Sequence, residues 1–235
     1  MTFTVIARDP ADDAVGICLA TSPFGVASRC PHILGGVGAI SSQCHSNPWL
    51  GRIGLSLLGD GVAPARALEI LRAYDENFEY RQVGLMTPGG ALAVHSGRHG
   101  KDYTGHMTGE NFIVMGNGLK DRGVVEAMHA AYLGASGESF EERLMQTVEA
   151  GFRAGGEPIG QRSAGMLVAA PDRHPRVRLQ VDAVPILPED GGDAVLELRR
   201  VFDIYKPLIP YYSDFWPDHP QVQWKDWLKD LDKAS

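Results

Sequence analysis

The chain has 235 residues, 44% of them hydrophobic and 22% charged, with a formal net charge of −7 at pH 7. That length fits one domain, or at most two small ones, burying roughly 70–75% of the unfolded surface. The acidic balance excludes a phosphate-tracking nucleic-acid binder, and every apolar run breaks before the ~18 residues that would span a bilayer.

The chain opens on TFTVIAR (2–8), a run of β-branched and aromatic residues that reads as a strand and ends in the turn cluster D-P-A-D-D. AVGICLAT (14–21) completes a hairpin, and GGVGAISSQ (35–43) reads as a third strand. Ser46 or Asn47 then caps a helix with Pro48 at its first position, and PARALEILRAY (64–74) repeats the pattern. QVGLM (82–86) and ALAVH (91–95) form a hairpin around T-P-G-G. NFIVMGNG (111–118) is a buried-type strand that feeds helices at 121–133 and 139–154, the latter opened by Ser139 and Glu142 in capping-box register. Strands at 163–170 and 177–183 precede a helix at 194–206. This order, with hairpin-joined strands, predicts an α+β fold and not a doubly wound parallel sheet.

Two units are expected: a domain over 1–206 and a Pro- and aromatic-rich tail over 207–235, regular only at about 221–232. Such a tail must cover the sheet edge, a neighbouring subunit or the substrate. The N-terminus carries Arg8 and Asp9 early, unlike a signal peptide, so a cytoplasmic protein with no membrane partner is expected. Cys18, Cys30 and Cys44 form no CxxC and the histidines form no HExxH, so no disulfide framework, metal site or cofactor is expected. The basic stretches GRHGK (97–101) and DRHPRVR (172–178) read as solvated loops.

A leading Thr, a hairpin, a glycine-rich strand, two helices, a second hairpin and a Gly116-Asn117-Gly118 turn into two further helices resemble the N-terminal nucleophile (Ntn) hydrolases. That group includes the proteasome β-subunits. The chain is more closely similar to a prokaryotic family of unknown function, DUF1028, placed among Ntn-like folds. The similarity rests on MTFTVIARD, GVGA (36–39), Gln43 with Asn47-Pro48, GHMTGENF (105–112), Gly116-Asn117 and ELRR (197–200). It departs from that family's pattern at GQRSAG (160–165), VDAVP (181–185) and Met115. The resemblance implies a four-layer αββα sandwich of two antiparallel sheets and a homo-oligomer. It also implies hydrolysis of a C–N bond in a small molecule, lactam or short peptide.

In this reading Thr2 is the nucleophile and its α-amine, freed by loss of Met1, is the base. A retained Met1 would leave only a non-basic amide nitrogen. The strand end Ser41-Ser42-Gln43-Cys44 supplies backbone N–H groups to the oxyanion, and Asn117 supplies a carboxamide. Thr2 could equally begin an edge strand, and Asn117 could serve a left-handed turn between glycines. Proteasome-type sites carry a lysine, but none lies between residues 1 and 100, leaving Arg29 as the only cation near the matching strand. His45, Asn47, His106 and Glu110 are expected to line a polar pocket around Thr2, with Ser42 and Cys44. For His106 a loop position held by backbone hydrogen bonds is the plainer alternative. Cys44 and His45 make a poor nucleophile–base pair, because neighbours in a strand face opposite ways. Two other function classes remain: a non-catalytic ligand-binding or assembly protein, and a cysteine hydrolase using Cys44.

Overall fold

The computed structural model describes residues 1–171, 176–182 and 193–234. Parts of the 172–178 stretch and of the VDAVP motif lie outside the described residues. Strands β1 (Thr2–Arg8), β2 (Val15–Thr21), β7 (Tyr103–Gly109), β8 (Phe112–Leu119), β9 (Ser163–Ala169) and β10 (Val177–Asp182) form one sheet, in the order β10-β9-β2-β1-β8-β7. A second sheet has the order β3-β4-β5-β6, from β3 (Pro31–Leu34), β4 (Gly38–Cys44), β5 (Arg81–Met86) and β6 (Leu92–Ser96). Every pairing is antiparallel.

The period-2 alternation of β1 divides the protein into layers. Phe3, Val5 and Ala7 face outward, joining a core with α3 (Gly123–Gly134), α4 (Phe140–Arg153) and α5 (Ala194–Tyr205). Ile6 faces the other sheet and packs with Ile17, Leu19, Met86, Ile113 and Met115. Beyond that sheet, α1 (Pro48–Gly59) and α2 (Pro64–Tyr74) cover Ile40, Val83 and Leu85. The result is a helix–sheet–sheet–helix sandwich, α+β as the element order predicts. Burying each such Leu or Ile contributes roughly 1.5–3 kcal/mol. Gly16 lets α4 lie close to β2, since a Cβ there would stand 2.5 Å from Leu144 Cδ1.

Local chemistry explains most boundaries. Asn47 caps α1 by accepting from Trp49 N at 3.2 Å, with Pro48 following. Ser139 caps α4, but the Glu142 carboxylate turns instead to Arg199 and Lys206 on and beside α5. Thr87 N donates to Ala91 O at 2.9 Å, closing the T-P-G-G hairpin. Two strands differ from expectation. The stretch 35–43 is a strand only from Gly38; its first residues make a turn at Gly36 (φ 74) that joins β4 to an unexpected strand before it, β3, in a hairpin. GHMTG, read as part of a motif and not as a strand, is β7, an edge strand whose polar residues tolerate solvent. In the tail, α6 (Trp224–Ala234) folds back so that Trp227 Nε1 donates to Pro207 O at 3.2 Å. Tyr211 donates to Val222 O at 2.7 Å, and Phe215 lies 5.0 Å from the Trp227 ring. The tail's aromatics therefore pack chiefly on one another, and Ile209 joins the outer core. Among the described residues no helix is long and apolar enough to cross a membrane.

Candidate active site

Thr2 starts β1, the central strand of the larger sheet, and stands opposite Asn117 on β8. Alternation turns Thr2 and Thr4 into the space between the sheets, where β4 and β5 present Ser41, Gln43 and Gln82. These side chains are polar and buried, so each needs a partner. Thr4 Oγ1 donates to Gln43 Oε1 at 2.6 Å, and Ser41 Oγ donates to the same oxygen at 3.2 Å. Gln43 Nε2 donates to Gln82 Oε1 at 2.8 Å and reaches the Thr2 carbonyl at 3.5 Å. Asn117 Nδ2 donates to Gln82 Oε1 at 3.1 Å and to the Thr2 carbonyl at 3.4 Å. Gln82 Nε2 in turn donates to Ser96 Oγ, Gly105 O and Gly116 O at 2.8, 2.9 and 3.0 Å. One glutamine thus binds both sheets together directly behind Thr2.

The Thr2 hydroxyl lies 3.1 Å from that of Thr21, and both donate to the Met1 carbonyl. Met1, but not Thr2, lines a cavity of about 210 Å³, whose wall it shares with Cys44, His45, Lys101, Asn117 and Gly118. Gly118, at φ 64, leaves room for Met1: a Cβ would stand 2.1 Å from Met1 Cγ. Cys44 has φ 73, which breaks the strand alternation at the end of β4. It therefore shares the cavity with His45, against the opposite-faces expectation. Burial nevertheless pushes the Cys44 thiol above its ordinary pKa, which disfavours the thiolate.

The structure brings Thr2, Gln43, Asn117, Cys44 and His45 together at this corner. The other expected residues are placed elsewhere. Ser42 points toward α1, and its N–H donates to Cys30 O at 3.0 Å. The His45 N–H likewise goes to Tyr80 O at 3.3 Å, so these two amides are engaged. Both Asn117 donor bonds also run inward, which makes it an anchor for Thr2 and not an open oxyanion donor. Asn47 caps α1 and donates to Asp75 Oδ2 at 3.0 Å. The Arg29 guanidinium donates to Phe24 O at 2.8 Å. Glu110 occupies the β7–β8 turn beyond Phe112, more than about 17 Å along the strands from Thr2 at ~3.4 Å per residue. His106 does not line the cavity; its Nδ1 meets Ser96 Oγ at 2.9 Å, one hydrogen bond removed from Gln82.

Two residues escaped the sequence reading. Gln82 opens an apolar strand, and its signal is its parity with Gly84 and Met86, which places an amide on the inner face of β5. Lys101 lies in a stretch that reads as solvent-exposed loop, yet it reaches the cavity because its carbonyl accepts from Gly118 N at 3.1 Å. Nothing local to GRHGK points to this. Among the described residues no group of three or more His, Cys, Asp or Glu is suited to a metal ion.

No curated protein matches the chain. The crystal structure of protein SPO2555 from Silicibacter pomeroyi is 31% identical, covering 87% of this chain and 88% of that one, with a TM-score of 0.78. The family model described as "Family of unknown function (DUF1028)" matches residues 2–187, from Thr2 through β10. That span takes in both sheets and the whole corner around Thr2 and Asn117, and the chain belongs to the DUF1028 family.

Proposed function

We propose that the protein is an N-terminal-threonine amidohydrolase that cleaves a C–N bond in a small amide, lactam or short peptide. The observation that carries this is the position of Met1. Its carbonyl accepts from the buried Thr2 hydroxyl and it lines a cavity whose wall also includes Lys101, so its removal would open Thr2 toward that cavity. Thr2 Oγ then attacks the substrate carbonyl carbon while the α-amine takes the hydroxyl proton. The same amine returns the proton to the leaving nitrogen as the C–N bond breaks, giving an ester on Thr2. Water, deprotonated by the amine, hydrolyses that ester.

The surrounding residues have separable roles. The Thr21 hydroxyl orients Thr2 Oγ, and Asn117 and Gln43 hold the Thr2 carbonyl. Lys101, on the cavity wall, supplies the positive charge that neither Arg29 nor a strand-end amide provides, stabilising the developing oxyanion. The cavity suits a small substrate, since 210 Å³ is below the usual range of about 300–1,000 Å³. The test compares protein with an exposed Thr2 against protein retaining Met1, in a screen of small amides and lactams. Activity in the exposed form alone supports the reading. Equal activity in both forms overturns it.

A further inference from the structure

The loop after α4, Gly155-Gly156-Glu157, brings a carboxyl group into the interior beside the chain's first residues. Glu157 is 2% exposed. Its Oε2 accepts from Ser22 N at 2.9 Å and from the Ser22 hydroxyl, while its Oε1 is buried with no hydrogen-bond partner among the described residues. Leaving a buried acceptor unsatisfied costs about 1–3 kcal/mol, and more for a charged group. Anchoring the loop to Ser22 requires only Oε2. The second oxygen lacks a structural role, yet the surroundings hold the carboxyl firmly. Gln161 turns its carboxamide so that its oxygen accepts from Glu157 N at 3.0 Å and its nitrogen donates to Asp193 Oδ2 at 2.9 Å. Gly155 and Gly156 have φ values of 108 and 43, which place the turn where side-chain-bearing residues would be strained.

Ser22 follows Thr21, whose hydroxyl meets both Thr2 Oγ1 and the Met1 carbonyl. The paired β1–β2 register ends at Phe3 opposite Ala20; counted on by the same step it would set Thr2 against Thr21, which their hydroxyl contact supports, and Met1 against Ser22. The residue that grips Glu157 therefore adjoins Thr21, whose hydroxyl holds the carbonyl of the residue removed to create the active amine. The positive N-terminus already acts on Glu157, partly offsetting the burial that raises its pKa to about 7.

We propose that Glu157 is the counter-carboxylate for the α-ammonium of Thr2 in the processed protein, positioning that amine between its free oxygen and the Thr21 hydroxyl. This shares with the proposed function only the loss of Met1. The charged and titratable groups facing the corner are few. Asp193 caps α5 and raises the Glu157 pKa, Lys120 lies across Gly155, and Arg162 donates its N–H to Thr21 O. The charge of the N-terminus also reaches Cys30 and Cys44, and Lys101 lines the cavity side. Glu157 is the carboxylate among them with an uncommitted buried oxygen.

The test reads the amine itself. Protein released by a protease so that it begins at Thr2 is trace-acetylated across a pH series, and the labelling of its α-amine is followed by peptide mass. The amine of the wild type is expected to titrate above the ordinary range of about 7.7–8.0. Glu157→Gln keeps the acceptor for Ser22 and should lower that value by about one pH unit or more. Glu157→Asp, which keeps the charge, should restore part of the shift. A wild-type amine at or below the ordinary range overturns the proposal without any variant, as does a Glu157→Gln amine that titrates with the wild type. An amine that behaves as expected in protein inactive on every amide would sustain the role of Glu157 while removing the proposed catalysis.

Discussion

Gln82 Oε1, on the smaller sheet, accepts from Asn117 Nδ2 on the larger sheet at 3.1 Å, directly behind the strand position that holds Thr2. The bond fastens the candidate nucleophile to the rigid interior of the sandwich instead of to a loop. Replacing Gln82 by Leu removes one acceptor from the Gln43 and Asn117 amides and leaves the buried Gly116 carbonyl, with the half-buried Ser96 hydroxyl and Gly105 carbonyl, without this donor. At about 1–3 kcal/mol per unsatisfied group, partly relieved by relaxation, the loss should be at least about 2 kcal/mol. Urea unfolding measures it, and a loss below about 0.5 kcal/mol would show that the network adds little.

Thr2→Ala, in protein lacking Met1, should abolish amide hydrolysis while lowering stability little, because the hydroxyl's main interior partner is Thr21. Thr2→Ser keeps the oxygen and the amine and should retain far more activity than Ala. Activity surviving in Thr2→Ala within a few-fold would place the nucleophile elsewhere.

Lys101 is exposed, and its side chain bridges no carboxylate among the described ion pairs. Lys101→Met should therefore change stability by no more than about 0.5 kcal/mol. Its effect should fall on kcat, by about 10- to 100-fold, if the ammonium stabilises the transition state. A rise in KM at constant kcat would instead assign Lys101 to substrate binding.

Two buried carboxyl groups should give stability opposite pH dependences. For Glu142 burial works to raise the pKa, but hydrogen bonds from Arg199, Lys206 and Gln146 outweigh it and hold the carboxyl at about 2. Its stabilisation is complete above its ordinary value and is lost as pH falls toward 2, on the order of 2–3 kcal/mol. For Glu157 burial wins, and the carboxyl is raised to about 7. The folded form then holds its proton more tightly than the unfolded chain, so this contribution is greatest below about pH 4.5 and declines as pH rises to 7. Denaturation midpoints measured from pH 3 to 8 should lose their acid limb in Glu142→Gln and their neutral slope in Glu157→Gln. An unchanged profile in either variant refutes that assignment.

Much of the fold follows from local chemistry. The alternation in TFTVIAR, the Asn47-Pro48 cap and the T-P-G-G turn each act over a few residues, and each is realised where its residues stand. β3 and β7 were not legible, because Pro31-His32 and the Gly- and Thr-rich GHMTG gain their strand conformation from a neighbour's hydrogen bonds and not from apolar periodicity.

The candidate site divides along the same line. Thr2 and Asn117 are singled out by the resemblance of the element order, since pattern alone reads them as a strand start and a turn residue. Their partners are not, since Gln82, Lys101 and Glu157 come from three separate loops or strands far apart in the chain. Only the stacking of the two sheets brings an amide behind Thr2, and only the Gly118–Lys101 backbone bond draws a loop lysine to the cavity. Residue spacing determines which way a side chain faces along its own strand. What it meets across the interior depends on the packing of elements that carry no record of one another in sequence; the hairpin brings Thr21 to Thr2, but only that packing sets Gln43 and Asn117 on its carbonyl with Gln82 behind them.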